Sequence, residues 1–140
     1  MRKQIITEAL TWLNTPYHHK ARLKGIGVDC AMLVAGVAAN LDLIDEACVA
    51  DDYSTQWHLH NNEERLLQQL EFFGCKLSIE PQAGDIVTFK YGRVTSHLGI
   101  LINTNQIIHA RQDIGKVVIN DLNEELIQRI THIFKFPGVK

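Results

Sequence analysis

A thiol attacks a carbonyl well only in its ionised form, so a cysteine that does chemistry needs help to lose its proton. Cys30 stands where such help is available. It follows Asp29, a residue type that caps helices, at the start of an Ala- and Gly-rich stretch running to Leu41. The first turn of a helix offers free backbone N–H groups and the positive end of the helix dipole, and both favour a thiolate. A base is needed as well. His97 precedes the apolar run Leu98–Ile102, and His109 follows Ile107 and Ile108. Histidine is the side chain that most readily takes and returns a proton near neutrality.

The spacing predicts that these two histidines meet. If Asn103, Thr104 and Asn105 form a three-residue loop, Ile102 pairs with Gln106, Ile100 with Ile108 and Leu98 with Ala110. Leu98, Ile100, Ile102, Ile108 and Ala110 then share one apolar face. His97 and His109 share the other as diagonal neighbours, roughly 7–8 Å apart at their backbones and within reach of each other's rings. A two-residue loop would send them to opposite faces, so the pairing requires an odd loop or a bulge. Gly99 would lie across from His109 and leave room for a side chain from the nucleophile helix. In this arrangement His97 takes the thiol proton, His109 holds the other ring nitrogen of His97, and N–H groups at the helix start stabilise an oxyanion. Taken singly, each residue also has a plainer reading. A buried cysteine is commonly inert, and a strand histidine is commonly a hydrogen-bonded filler. Cys30, His97 and His109 could also be three zinc ligands. The residues alone leave these readings open.

The elements that position the three residues follow from periodicity. Ile5, Ile6, Ala9, Leu10 and Leu13 recur at helical spacing over residues 2–14, and Asn14-Thr15-Pro16 stops that helix. A polar loop carries His18, His19, Lys20, Arg22 and Lys24 to Gly25-Ile26-Gly27. The second helix, from Cys30 to Leu41, buries Leu33, Val34, Val37 and Leu41. Residues 42–61 read as acidic and irregular. Asn61 and Glu64 form a capping box for a third helix that Gly74 closes. After Pro81 the period becomes that of strands: Asp85–Tyr91, Leu98–Ile102, Gln106–Ala110 and Lys116–Ile119, then a short helix Leu122–Gln128 and a last strand Ile130–Phe136. Helices first and an antiparallel sheet after them make an α+β fold.

The chain has 140 residues, 46% hydrophobic and 21% charged, which suits one domain over residues 1–140. A net charge of -2 gives no phosphate-binding surface and argues against nucleic acid as partner. The three basic residues Lys20, Arg22 and Lys24 are either a solvated loop or a rim that attracts an anionic substrate. Three cysteines without C-x-x-C spacing support neither a disulfide framework nor a zinc knuckle. The N-terminus shows no apolar core of a signal peptide, and no stretch is long enough for a membrane span, so the expectation is synthesis in the cytoplasm without membrane insertion. His18 and His19 read as exposed, His58 and His60 as solvated, Cys48 and Cys75 as filler, Trp12 as core, and Trp57 as a wall of the substrate cleft.

The ordered motifs resemble the NlpC-type family of papain-like, cell-wall cysteine peptidases. Its T-P-Y, glycine loop and D-C-S-G-L-V stand here as Thr15-Pro16-Tyr17, Gly25-Ile26-Gly27 and Asp29-Cys30-Ala31-Met32-Leu33-Val34. Its P-G-D segment appears as Ala83-Gly84-Asp85 with Phe89 beyond it, and its H-x-G-I and I-H-A as His97-Leu98-Gly99-Ile100 and Ile108-His109-Ala110. The run Tyr17 to Gly27, the pair Tyr53 and Trp57, and Phe134 to Pro137 are similar to the phage-tail and gene-transfer-agent branch. The resemblance implies hydrolysis of an amide bond in the peptide stem of peptidoglycan through a Cys30 thioester, without cofactor or metal. It makes Cys30, His97 and His109 catalytic, puts the Tyr17 hydroxyl beside Cys30 for substrate or oxyanion, and turns Asp29 toward the substrate's free amine. It also implies other phage-tail proteins as partners and a place in the virion, acting in the periplasm or cell wall. Ala31-Met32 replaces the family's Ser-Gly, which removes a hydroxyl and adds bulk. That change keeps open an amidase or acyltransferase acting on another substrate, and a non-catalytic tail component.

Overall fold

The computed structural model describes residues 1–45 and 65–140. Cys48, Tyr53, Trp57, His58, His60, Asn61 and Glu64 lie outside the described residues, and so do the readings made of them.

Helix α1 is Arg2–Leu10, shorter than its apolar pattern suggests. Beyond Leu10 the hydrogen bonds tighten to i→i+3, from Trp12 N–H to Ala9 and from Leu13 N–H to Leu10. This keeps Trp12 in the core at 2% exposure without prolonging the helix. Asn14 then takes a left-handed φ of 69°, and its N–H reaches the carbonyl of Val117 at 3.0 Å. The loop expected between the first two helices contains two short strands, β1 (Arg22–Leu23) and β2 (Gly27–Val28). Two residues each are too few to show an alternation.

Helix α2, Cys30–Asn40, is capped by Asp29, whose side chain accepts from Met32 N–H at 2.8 Å. It packs so closely on α1 that a Cβ at Gly36 would stand 2.5 Å from the Trp12 ring. Glu8 ties the same corner together, accepting from Trp12 Nε1 at 2.8 Å, Asn40 Nδ2 at 2.9 Å and Lys24 Nζ at 3.0 Å. Helix α3, Arg65–Phe72, ends toward Gly74, whose φ of +93° provides the expected left-handed stop.

The remaining strands are β3 (Lys76–Leu77), β4 (Ile86–Tyr91), β5 (Val94–Leu101), β6 (Gln106–Arg111), β7 (Lys116–Asp121) and β8 (Ile130–Lys135). They form one antiparallel sheet in the order β3-β8-β4-β5-β6-β7. The two-residue β3 was not expected, and β5 begins four residues earlier than its apolar run. Helix α4, Glu124–Arg129, precedes β8.

The sheet has two different faces. Leu98, Ile100, Ile108, Ala110 and Val117 join α1 and α2 in the main core, while Val87, Phe89, Leu101 and Ile107 form a smaller cluster under Leu122, Leu126 and Ile130. Buried Asp85 fastens the sheet to the N-terminus: its Oδ1 accepts from Arg2 Nη1 at 2.7 Å and its Oδ2 from Gln82 N–H at 2.9 Å. The Gly84-Asp85 motif therefore has a structural task. Gly84, at φ +93°, leaves 3.2 Å between a would-be Cβ and the Arg2 side chain.

Candidate active site

The expected hairpin register is observed at the loop end, whereas Leu98 and Ala110, expected to pair, are not joined in the ladder. Ile100 pairs with Ile108 and Leu101 with Ile107, and Ile102 N–H bonds Gln106 at 3.1 Å. A bulge precedes the first histidine, because Phe89 faces His97 while Lys90 faces Thr95, leaving Ser96 as the extra residue of β5. His97 and His109 consequently share the face away from α1 and α2. Their Nε2 and Nδ1 atoms are 2.8 Å apart, with ring centroids at 5.0 Å. Phe89 and Tyr91 hold the His97 ring, with centroids at 5.7 and 6.1 Å.

Gly99 is needed here for a reason other than the one expected. A Cβ on it would stand 3.0 Å from the Cβ of His109, so the space opposite belongs to His109 itself and not to the nucleophile helix. The helix uses a different opening. The β5–β6 ladder pairs only Ile100 and Leu101 of β5, so the strands part toward His97. The start of α2 approaches this split from the other face. The Cys30 sulfur lies 4.0 Å from the carbonyl oxygen of Ser96, the bulged residue next to His97. Among the described residues that carbonyl, rather than a ring nitrogen of His97, is the hydrogen-bond partner of the thiol.

Tyr17, Cys30, Ser96, His97 and His109 line one open cleft of about 730 Å³, with Tyr91 and α4 residues opposite. The structure thus brings together four of the five residues singled out in the sequence. The fifth, Asp29, is buried and does not line the cleft. Its Oδ1 caps α2 and its Oδ2 accepts from Lys20 N–H at 2.7 Å, so both oxygens are engaged by backbone. These two bonds give Asp29 its capping role. Ala31 and Met32 are not on the cleft wall either. Met32 is buried in the main core, so its bulk does not narrow the cleft. Lys24 is held by Glu8 and lies over the Trp12 ring at 5.4 Å, and neither it nor Lys20 nor Arg22 lines the cleft. The basic side chain among the described cleft-lining residues is Arg111.

Desolvation opposes charge on the key groups. Burial and the nearby Asp29 charge push the Cys30 thiol up to about 12, against the help of N–H groups of Leu98, Ala31 and Cys30 itself. The helix start does favour the thiolate as expected, but desolvation outweighs it. His97 is lowered to about 3, first by burial and then by the neighbouring His109 and Arg111. His109 is lowered too, chiefly by burial. Tyr17, pushed up to about 12 by burial and then by Cys30 and Asp29, keeps its hydroxyl proton. The zinc reading meets a geometric obstacle: both ring nitrogens of His109 are spent on hydrogen bonds. Among the described residues no three metal-ligating side chains are clustered.

Two neighbours of the site were not anticipated. Asn120 Oδ1 meets His109 Nε2 at 2.7 Å, and Arg111 Nη1 meets the same oxygen at 3.1 Å. Asn120 interrupts the apolar run of β7, and His109 faces Val118 two residues before it. Period-two counting from that pair would have placed Asn120 on the histidine face.

Comparison with known proteins accords with the fold. No curated protein matches the sequence. Among solved structures, NlpC2 from Trichomonas vaginalis is similar with a TM-score of 0.70 at 18% identity, covering 96% of this chain and 46% of that one. The NlpC/p60 domain of the peptidoglycan hydrolase SagA gives 0.61 at 20% identity, covering 95% and 97%. The peptidoglycan hydrolase RipB from Mycobacterium tuberculosis gives 0.61 at 17% identity, covering 99% and 65%. The chain therefore spans less than half of the Trichomonas protein and nearly all of the SagA domain. Residues 14–135, which include the cleft, the histidine hairpin and the capped helix, match the NlpC/P60 family, and the chain belongs to that papain-like α+β family.

Proposed function

We propose that the protein is a cysteine peptidase that hydrolyses an amide bond in the peptide stem of peptidoglycan through a thioester on Cys30. The observation that carries this reading is the shared cleft, where a helix-start thiol and a hydrogen-bonded histidine pair open onto the same space. Membership of a family that includes peptidoglycan hydrolases such as SagA and RipB supports the substrate class.

Desolvation opposes the charged form of both the thiol and the imidazole, so the proton moves between them during the attack itself. As the sulfur attacks the scissile carbonyl, its proton passes to His97, and the imidazolium then protonates the leaving amine. Water, deprotonated by His97, releases the acyl group. The N–H groups at the start of α2 and the protonated hydroxyl of Tyr17 are the donors available to the oxyanion. Asp29 contributes by fixing the first turn of α2.

The finer assignment is to a phage tail, with the enzyme made in the cytoplasm and delivered to the periplasm or cell wall. Its support is the run from Tyr17 to Gly27, which folds as one loop around β1 and β2. The Phe134 and Phe136 motif supports it less, because both rings are core residues. Digestion of muropeptides followed by mass spectrometry tests the activity. Wild type is expected to generate a new amino terminus within the stem peptide and Cys30→Ala none. Intact muropeptides with both proteins would overturn the proposal.

A further inference from the structure

We propose that Asn120 and Arg111 are positioning residues that set which nitrogen of His97 is free to accept the thiol proton. The inference rests on the reading of His97 as the base and adds to it a device for choosing the tautomer.

The argument begins at the surface end of the chain of hydrogen bonds. A guanidinium has donors only, so the Asn120 atom 3.1 Å from Arg111 Nη1 must be the carbonyl oxygen of the amide. Arg111 is itself fixed by Asp113, which accepts from its Nε at 3.0 Å and from its Nη2. The same Asn120 oxygen lies 2.7 Å from His109 Nε2, so that nitrogen carries the hydrogen. A neutral imidazole has a single N–H, which leaves His109 Nδ1 as a bare acceptor. His97 Nε2, 2.8 Å from it, must then be the donor. His97 is left with its lone pair on Nδ1. Each step has one solution as long as both rings are neutral, and burial holds both rings on the neutral side. The positive charge of Arg111 pushes in the same direction.

An amide is nearly symmetric in shape, so Asn120 alone would not decide the matter. With its NH₂ group turned toward His109 it would demand a bare Nε2, put the hydrogen on His109 Nδ1 and reverse the donor at His97. Arg111 forbids that flip, because an NH₂ facing a guanidinium would oppose two donors. A single ion pair between Arg111 and Asp113 thereby reaches a half-buried base through one amide and one ring.

The test is imidazole ¹⁵N–¹H NMR of the resting enzyme at pH 8, assigned with His97→Gln and His109→Gln. It is run beside iodoacetamide alkylation of Cys30 and muropeptide turnover. Wild type is expected to show Nε2–H on both rings. Asn120→Leu is expected to mix the tautomers, to slow alkylation and to lower kcat by about tenfold to a hundredfold. Asn120→Asp, which keeps an acceptor, is expected to restore the pattern and most of the rate. Arg111→Met, a change at a partly exposed side chain, is expected to reveal a second His109 population with Nδ1–H, and Arg111→Lys to suppress it. The proposal is overturned if wild-type His97 carries its hydrogen on Nδ1, or if Asn120→Leu and Arg111→Met leave tautomers and alkylation unchanged. Failure of Asn120→Asp to rescue a slow Asn120→Leu would also overturn it. Tautomers and alkylation that behave as expected without any muropeptide turnover would support this inference while removing the substrate assignment.

Discussion

The two faces of the β5–β6 hairpin are made from alternate residues of the same segments, yet they are held by different forces. On one face Leu98, Ile100, Ile108 and Ala110 are packed under α1 and α2, and no polar atom there needs a partner from those side chains. On the other, His97, His109, Asn120 and Arg111 form a line in which almost every ring nitrogen has a defined partner. The apolar face supplies stability by area and tolerates no intrusion. The polar face supplies direction, and it sits beside a cleft where the sheet parts. A site built in this way borrows its rigidity from the packing behind it and its chemistry from the hydrogen bonds in front.

Substitutions that strike one face and spare the other should separate the two contributions. The largest effect on activity is expected from His97→Gln, which removes the proton carrier while keeping a polar side chain. Turnover should fall by about 10²–10⁴-fold with the melting temperature nearly unchanged. The largest effect on stability is expected from Asp85→Ala, which removes the carboxylate that Arg2 pairs with and the acceptor of the Gln82 N–H. Denaturant unfolding should show a loss of about 3–5 kcal/mol, because one half of a buried ion pair is removed.

Two glycines sharpen the contrast further. Gly36→Ala puts a methyl into the Trp12 ring on the packed side and should cost about 1–3 kcal/mol of stability in a urea titration. Gly99→Ala presses instead on His109 and the carbonyl of Ile108, at 3.0 and 3.1 Å. It should lower turnover more than it lowers stability, read by comparing kcat with the unfolding midpoint. The smallest effect concerns pH. His97 in the folded chain is lowered to about 3 from an ordinary 6.5, so between these values the unfolded chain binds more protons. That contribution is complete above about pH 6.5 and is lost as pH falls toward 3. Stability should decline across this window in wild type and decline less in His97→Gln.

Much of the hairpin was legible because strand alternation leaves few registers. Once a three-residue loop was assumed, Ile100 had to meet Ile108, and the histidines had to share a face. Asp29 was legible as a cap because side chain and backbone requirements are local. What depended on non-local geometry was not. The bulge at Ser96 and the parting of β5 from β6 arise from how strands and helix fit together, and no spacing in the chain encodes them. Gly99 was placed opposite His109 by the register, but that the His109 side chain itself fills the space was not visible. The surroundings of Cys30 are of the same kind: the helix start was visible in the sequence, but the desolvation that opposes a thiolate on this half-buried side chain was not. Asn120 lay within reach of a parity argument that was applied to β5 and β6 and not carried on to β7. The added bulk of Met32 is likewise a matter of the fold, since its side chain is taken up by the main core.

The central claim is that the sulfur of Cys30 works through the imidazole presented at the split in the sheet. The rate of Cys30 alkylation by iodoacetamide, followed from pH 6 to 10 in wild type and His97→Gln, tests it without any assumption about substrate. Because burial keeps His97 an unprotonated base across this range, the wild-type rate should be nearly independent of pH at the acid end and climb only where the thiolate forms. At neutral pH it should exceed that of His97→Gln by about tenfold or more, the two converging as hydroxide takes over the proton. Equal rates in the two proteins at pH 7 would contradict the account.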